Sequence, residues 1–237
     1  VTGNAGGPAS SASAPITPIA SASAVTGVTV AASDSQITLT WNNASGAASY
    51  QVTWSPNDNG GSASVAVASG NTTTYTATGL TNGQDYLFNI STINQAGASA
   101  GTTSAVGVPG AVPAAPSSVT AATGDQQVGL TWSAPTSSGG SAITNYTITV
   151  TPSIAGSPFT TANSSTSATI TGLTNGTSYT FTVAANNSFG VGATAASNAV
   201  TPAGTPATPT GLTLTPSNGQ VTASWSAVTS LGGVALA

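Results

Sequence analysis

Apolar and polar side chains alternate along several short stretches of the chain. Residues 37–41 (ITLTW) place three large apolar side chains on one face and two threonines on the other, and the stretches 50–54, 146–150 and 179–183 alternate in the same way. A period of two residues is typical of a β-strand with one buried face and one face in water. The pattern predicts an all-β chain in which threonine, which is β-branched and polar, lines the wet faces.

Short clusters of glycine, asparagine, aspartate and serine separate the alternating stretches. Examples are residues 33–35 (SDS), 59–61 (NGG), 82–83 (NG), 139–140 (GG) and 218–219 (NG). Such clusters mark turns between strands. About seven short strands in about 90 residues are typical of a sandwich of two β-sheets, and the length of the chain is compatible with about one to three domains.

The strand pattern repeats at a nearly fixed interval. Trp41, Trp132 and Trp225 each close an alternating stretch, and they lie 91 and 93 residues apart. The segment GLTNG occurs at 79–83 and again at 172–176, which is 93 residues later. Because several positions match at one period, the chain is predicted to be a tandem array of one repeated domain.

A tyrosine and two proline-rich joints complete the repeat. Tyr86 and Tyr179 follow the two GLTNG segments at the same offset, and prolines cluster between the repeats, at 112–116 and 202–209. In these residues each repeat resembles a fibronectin type III domain of the bacterial extracellular kind. The resemblance rests on the Trp of the second strand, the Tyr-x-apolar start of the third and the Gly-Leu-Thr-Asn-Gly-x-x-Tyr corner, and it covers nearly the whole chain.

The resemblance implies an all-β fold of tandem immunoglobulin-like sandwiches with seven strands each. It also implies that the corner tyrosines bond upstream backbone through their hydroxyls. The residues expected in the structural core are Trp41, Trp132, Trp225, Tyr86, Tyr179, Leu80 and Leu173. The chain departs from the family in having no Lys, Arg or Glu, so the integrin motif Arg-Gly-Asp is absent and that family function is not implied.

The repeat boundaries predict four segments. Residues 25–109 and 116–202 are expected to form full domains, and residues 206–237 supply only the first strands of another. Residues 1–18 are expected to be the last hairpin of a preceding domain, because their final residues match 197–202 at an offset of 184. Two interpretations stay open: the sequence is part of a longer array, or neighbouring subunits complete the half-domains by strand exchange.

The charge composition excludes several classes of function. The 237 residues contain four Asp and no Lys, Arg, Glu, His, Cys or Met. Without cations the chain has no electrostatic footprint for nucleic acid or anionic lipid, and without His or Cys it lacks zinc ligands and a thiol nucleophile. No apolar run approaches the roughly 20 residues of a membrane helix. We therefore expect no nucleic-acid partner, no membrane insertion, and no catalytic, cofactor-binding or metal-binding residues.

Turn chemistry explains the aspartates. Asp34 and Asp125 occupy the same turn of successive repeats, with Asn218 in the third, and such side chains bond local backbone. Calcium at a domain junction is the alternative, but calcium sites usually need several carboxylates. Asp58 and Asp85 lie in other loops, so no acid–base pair is predicted and the chain is not expected to be an enzyme.

Three residues are candidates for contact with a ligand or a neighbour. Phe189 and Asn187 lie in the loop at the tip of the second full repeat, where packing against a neighbouring domain competes with ligand contact. Trp54 has no counterpart in the next repeat, where Val150 aligns. Its parity with Tyr50 predicts packing in the core or at its rim, and a platform for stacking sugars is the alternative.

These features favour a non-catalytic structural repeat protein outside the cell, such as a surface stalk, filament or sheath component. Its expected partners are neighbouring repeats of the same chain or other copies of it. Edge strands normally carry lysine or other charges that prevent sheet-to-sheet pairing, and their absence here favours lateral assembly. The alternatives are an adhesin or module that binds carbohydrate or a host or cell-surface protein, a decoration or tail protein of a virion, and a linker of a secreted enzyme.

Overall fold

The computed structural model of the chain contains strands and no helix in the residues that it describes. Those residues are 7, 20–56, 64–69, 72–98, 102–103, 106–228 and 231–233. Apart from Gly7, the hairpin expected over residues 1–18 lies outside the described residues, and so does the loop 57–61 with Asp58.

The strands of the first repeat form two sheets. They are β1 (Thr26–Ser33), β2 (Gln36–Asn42), β3 (Ser49–Pro56), β4 (Ser64–Ser69), β5 (Thr74–Thr78), β6 (Tyr86–Asn94), β7 (Gly97–Ala98) and β8 (Thr102–Thr103). One sheet has the order β1-β2-β5, and the other has the order β4-β3-β6-β7 with β8 also paired to β6. The central pair of the second sheet is antiparallel, with Val52 opposite Ile90 and Trp54 opposite Phe88.

The second repeat has the same two-sheet arrangement. Its strands are β9 (Ser117–Thr123), β10 (Gln127–Ser133), β11 (Asn145–Thr151), β12 (Phe159–Thr160), β13 (Ser167–Thr171), β14 (Thr180–Asn187) and β15 (Gly190–Ala196). One sheet has the order β13-β10-β9 and the other β12-β11-β14-β15. Three strands in one sheet and four in the other confirm the predicted immunoglobulin-like sandwich.

The core of the second repeat lies between its two sheets. Its central side chains are Val128, Leu130 and Trp132 from β10, Tyr146, Ile148 and Val150 from β11, and Phe181 and Val183 from β14. The indole ring of Trp132 packs edge-on against the ring of Tyr146, with the ring centroids 5.1 Å apart. Next to the buried Trp132 of β10, Thr131 and Ser133 are exposed. The alternation in the sequence therefore corresponds to one strand face in the core and one in water.

A single hairpin follows the second sandwich. It consists of β16 (Thr210–Ser217) and β17 (Gln220–Ser226), joined by a turn at Asn218 and Gly219. The strands are antiparallel, with Leu214 opposite Ala223 and Thr213 opposite Ser224.

The chain divides into two compact units. The described residues of Val1–Ala31, Thr38–Thr76 and Tyr86–Gly107 form the first unit, and those of Ala32–Ile37, Ala77–Asp85 and Val108–Ala237 form the second. In the first unit, Trp41 packs edge-on against Tyr50 with ring centroids 5.4 Å apart. The second unit includes the turn between β1 and β2 and the loop that follows β5.

Trp225 does not occupy the core position that its alignment with Trp41 and Trp132 predicts. Trp41 and Trp132 are buried, whereas 60% of the surface of Trp225 is exposed. Strand β17 pairs with β16 alone in the part of the chain that the structure describes, and no second sheet is described that covers this face.

Candidate functional site

Each full repeat contains a loop that leads from one sheet to the other. We call residues 79–83 the first corner loop and residues 172–176 the second corner loop. Their leucines, Leu80 and Leu173, are buried. The backbone N–H of Leu80 donates to the carbonyl of Ser35 at 2.9 Å, so the first corner loop is tied to the turn between β1 and β2.

Tyr179 makes the contact that the resemblance implies for a corner tyrosine. The hydroxyl of Tyr179 accepts a hydrogen bond from the N–H of Thr174 at 3.2 Å, which is the upstream backbone contact of a tyrosine corner. Tyr179 also exchanges two backbone hydrogen bonds with Val200, at 2.8 and 2.9 Å. Tyr86 is likewise buried and exchanges two such bonds with Gly107, at 2.9 and 3.0 Å.

The aspartate of the first turn is bound by the corner loop beside it. The side-chain amide of Asn82 donates to Oδ1 of Asp34 at 2.8 Å, and its oxygen accepts from the N–H of Ser35 at 2.8 Å. Ser35 has a φ of 54°, a left-handed conformation that a non-glycine residue adopts when the turn requires it. One amide therefore stabilises both sides of this turn.

The second repeat reproduces this arrangement. Asn175 donates to Oδ1 of Asp125 at 2.7 Å and accepts from the N–H of Gln126 at 2.9 Å. Gln126 has a φ of 53°. Each aspartate thus accepts a hydrogen bond from the asparagine of its corner loop, and the described residues contain no group of three or more His, Cys, Asp or Glu side chains that could hold a metal ion.

Asn187 connects three backbone segments of the second unit. It is only 8% exposed, and its Nδ2 donates to the carbonyls of Ala111 at 2.8 Å and Ser138 at 2.7 Å. Its Oδ1 accepts from the N–H of Phe189 at 2.8 Å. Asn187 therefore holds residues 110–111, which we call the entering segment, against the loops that contain Ser138 and Phe189. The sequence predicted Asn187 at the tip of the repeat, in contact with a ligand or with a neighbouring domain.

Phe189 contacts the same entering segment. A Cβ atom built on Gly110 would overlap the edge of the Phe189 ring, so glycine leaves the space that the ring occupies. Phe189 is half-buried there. The sequence left two outcomes open for this loop, packing against a neighbouring domain and contact with a ligand. In the structure, the ring of Phe189 lies against the chain's own backbone at Gly110.

The first unit contains the counterpart of Asn187. The Nδ2 of Asn94 donates to the carbonyl of Ala20 at 2.8 Å, and its Oδ1 accepts from the N–H of Ala96 at 2.8 Å. Sequence reasoning did not single out Asn94, although it lies 93 residues before Asn187. That spacing, which equals the repeat period, was the available signal.

Trp54 lies at the rim of the first repeat. It is half-buried. The centroid of its ring lies 5.5 Å from the ring centroid of Tyr75 and 6.2 Å from that of Phe88. The aligned residue of the second repeat, Val150, is fully buried. Trp54 is thus the largest aromatic difference between the two repeats, and it combines packing with partial exposure.

No helix that could span a membrane is found among the described residues. The chain offers no histidine, cysteine, lysine, arginine or glutamate for acid–base, nucleophilic or cofactor chemistry. Side-chain amides fix the turns and the entering segments of both repeats.

Comparison with known proteins recovers both full repeats. The family model of the fibronectin type III domain matches the chain twice, over residues 23–107 and 114–202. A Kelch domain-containing protein of Saccharolobus solfataricus is 34% identical over 161 residues, which are 67% of this chain and 21% of that protein. The chain thus spans about a fifth of the length of this relative.

Two solved structures match the chain at low sequence identity. The FN1–FN3 domains of chicken CNTN1 are 18% identical, with a TM-score of 0.44, and the match covers 75% of this chain and 66% of that one. A segment of two fibronectin type III domains from chicken tenascin is 17% identical, with a TM-score of 0.40, and the match covers 75% of this chain and 98% of that one.

Proposed function

The chain belongs to the fibronectin type III family, and we propose that it is a non-catalytic spacer segment of an extracellular structural repeat protein. Its sandwiches keep other parts of a stalk, filament or sheath apart, or they associate with one another to build it. The relative from Saccharolobus solfataricus supports a role as one segment of a larger protein, since it is much longer than this chain and is named for another kind of domain.

The observation that carries this proposal is the repeated capture of the entering segment. Asn94 bonds Ala20 and Asn187 bonds Ala111, each at 2.8 Å and each from the same position of its repeat. In a protein that binds through loop tips, these amides would be free for the ligand. In a spacer they hold the chain where one repeat enters the next.

Lateral assembly is supported by the outer face of the first sheet in each repeat. The face has hydroxyl side chains on adjacent strands and no charged residue to oppose pairing with another sheet. The hydroxyl pairs, which recur at the repeat period, are Thr29 with Thr40 at 2.5 Å, Thr120 with Thr131 at 2.7 Å and Thr213 with Ser224 at 2.6 Å.

Sedimentation velocity of the full chain at increasing concentration tests assembly. We expect self-association that Thr131→Lys weakens, because a charge on the sheet face opposes pairing with a second copy. Ser164→Lys is the matched control, since Ser164 is exposed in a loop and the variant carries the same charge. A chain that stays monomeric up to its solubility limit would contradict assembly.

The extracellular role has a separate test. Antibody labelling of intact source cells is expected to detect the chain at the surface or in shed filaments. Detection only after the cells are lysed would contradict the proposal.

Carbohydrate binding is the second candidate function, and Trp54 favours it. Its partly exposed ring beside Tyr75 offers a face on which a sugar can stack. A glycan array probed with the full chain and with Trp54→Ala tests this candidate. Binding that is lost in Trp54→Ala and kept in Phe189→Ala would support it, and no binding by the unmodified chain would contradict it.

A further inference from the structure

Two clusters of backbone contacts in the second unit repeat at the period of the sequence. The N–H of Gly83 in the first corner loop donates to the carbonyl of Pro109 at 2.8 Å. The N–H of Gly176 in the second corner loop donates to the carbonyl of Pro202 at 2.9 Å. Both the donors and the acceptors lie 93 residues apart.

A pair of glycines completes each cluster. We call residues 139–140 the first glycine pair and residues 232–233 the second glycine pair. The N–H of Ala111 donates to the carbonyl of Gly139 at 2.8 Å, and the N–H of Gly204 donates to the carbonyl of Gly232 at 2.7 Å. Residues 109–111 and 202–204, which we call the joining segments, lead from one repeat to the next, and each is therefore bonded to the glycine pair of the following repeat.

The glycine pairs also lie directly against the corner loops. A Cβ atom built on Gly83 would lie 2.9 Å from the carbonyl oxygen of Gly140, and one built on Gly176 would lie 2.9 Å from that of Gly233. In the other direction, a Cβ atom on Gly140 would overlap the backbone nitrogen of Gly83. In both clusters the backbone of the corner loop is in direct contact with the backbone of the glycine pair. Any side chain at these positions would therefore push the corner loop and the glycine pair apart.

Backbone conformation alone does not explain this contact. Gly140 and Gly233 have φ values of 87° and 95°, which favour glycine in any setting. Gly79 has a similar φ of 72°, yet a Cβ atom there would meet nothing within 4 Å. Glycine at 79 is therefore required by the turn, whereas glycine at 140 is required by the turn and by its neighbour.

We propose that each glycine pair is a docking element, and that its partner is the corner loop of the preceding repeat of the same chain. The interaction surface consists of the corner-loop glycine and the joining segment, and it accepts a loop with two glycines and no side chain. This inference is independent of the proposed function, because it holds for a spacer and for a binding module alike.

The first repeat differs at the positions of the glycine pair. Its residues at the same positions are Gly46 and Ala47. A Cβ atom on Gly46 would make only ordinary contact with Ala22, at 3.6 Å, and position 47 already has a side chain.

Amide hydrogen exchange of the full chain, followed residue by residue by NMR, tests the proposal. In the unmodified chain we expect slow exchange at the N–H of Gly83. In Gly140→Ala we expect this exchange to accelerate by about tenfold or more, because the added methyl group pushes the loop away from its partner. Exchange at Val150 in the sandwich core is expected to stay slow, which reports that the fold is intact.

Gly79→Ala is the matched control. It adds the same methyl group at a similar φ, in the corner loop that contains Gly83, but it has open space around it. Equal acceleration at Gly83 in both variants, or unchanged exchange in Gly140→Ala, would overturn the proposal.

A second variant keeps the test decisive if Gly140→Ala disturbs the sandwich core. Gly233→Ala lies outside that sandwich, and its expected effect is faster exchange at the N–H of Gly176 with Val150 unaffected. Unchanged exchange at Gly176 in Gly233→Ala would overturn the proposal as well.

Discussion

The hairpins β9–β10 and β16–β17 occupy the same place in successive repeats, but their apolar faces have opposite surroundings. Val119, Val128 and Trp132 of the first hairpin are 9%, 0% and 5% exposed, whereas Leu212, Val221 and Trp225 of the second are 66%, 63% and 60% exposed. Both hairpins are antiparallel and both pair hydroxyl side chains on the wet face. The strand pairing is thus the same in both hairpins, whereas the exposure of their apolar faces differs.

The difference lies in what opposes each face. In the second repeat, β11 and β14 bring Tyr146, Ile148 and Phe181 against the face of β10. In the part of the chain that the structure describes, β16 and β17 form a sheet of their own. The comparison teaches that a strand pattern sets which face is apolar, and that an opposing sheet is needed to bury it.

The largest expected effect comes from the two aligned tryptophans. We expect Trp132→Ala to lower the free energy of unfolding of the second sandwich by about 3–5 kcal/mol, since it leaves a large cavity. We expect Trp225→Ala to change it by less than about 0.5 kcal/mol, since the side chain is exposed. Urea unfolding followed by the amide signal of Val183 measures both. Similar losses in the two variants would mean that the face of β17 is buried in solution.

Replacing valine by threonine on the apolar face tests the difference in burial between the two hairpins with little change in side-chain volume. Val128→Thr is expected to destabilise the sandwich by about 1–3 kcal/mol, because a buried hydroxyl loses its hydrogen bonds to water. Val221→Thr is expected to have nearly no effect, because its hydroxyl faces water. The same urea titration measures both, and a neutral Val128→Thr would contradict the described core.

The turn amide should have a smaller effect. Asn175→Ala removes the hydrogen bonds to Asp125 and Gln126, and we expect a loss of about 1 kcal/mol. Asn218→Ala, in the turn of the exposed hairpin, is the matched control and is expected to leave the second sandwich unchanged. Thermal unfolding measures both variants, and equal shifts in the midpoint would show that the amide of Asn175 does not stabilise its turn.

The smallest effect is expected on the wet faces, where the two hairpins are alike. Thr131→Ala and Ser224→Ala each remove one hydroxyl of an exposed pair, and each is expected to change stability by about 0.5 kcal/mol or less. Calorimetry of the two variants checks this expectation. A large loss in Thr131→Ala alone would mean that the wet faces also differ.

Much of the fold could be predicted because its signal is local. The alternating stretch 37–41 lies within β2, 50–54 within β3 and 146–150 within β11, since a period of two residues follows directly from strand geometry. The family assignment was equally accessible, because the tryptophan, corner and tyrosine positions recur at one period.

The candidate site could be predicted only in part. Phe189 and Asn187 were expected at a loop tip, but their contacts are with Gly110 and Ala111, more than 70 residues away in sequence. Asn94 was missed for the same reason, since its partner Ala20 is distant along the chain. No local pattern reports a contact of this kind, because the two segments meet only after the strands between them have folded.

The strands, the apolar face of each strand, the turn residues and the period of the repeat can all be read from the amino-acid sequence alone. All of these follow from backbone geometry and side-chain chemistry within a few residues. Only the tertiary structure decided that Trp132 is buried while Trp225 is exposed, and that Gly140 meets the backbone of Gly83. Burial and close approach depend on surfaces that residues far apart in sequence bring together, so the same local pattern gives different outcomes in different repeats.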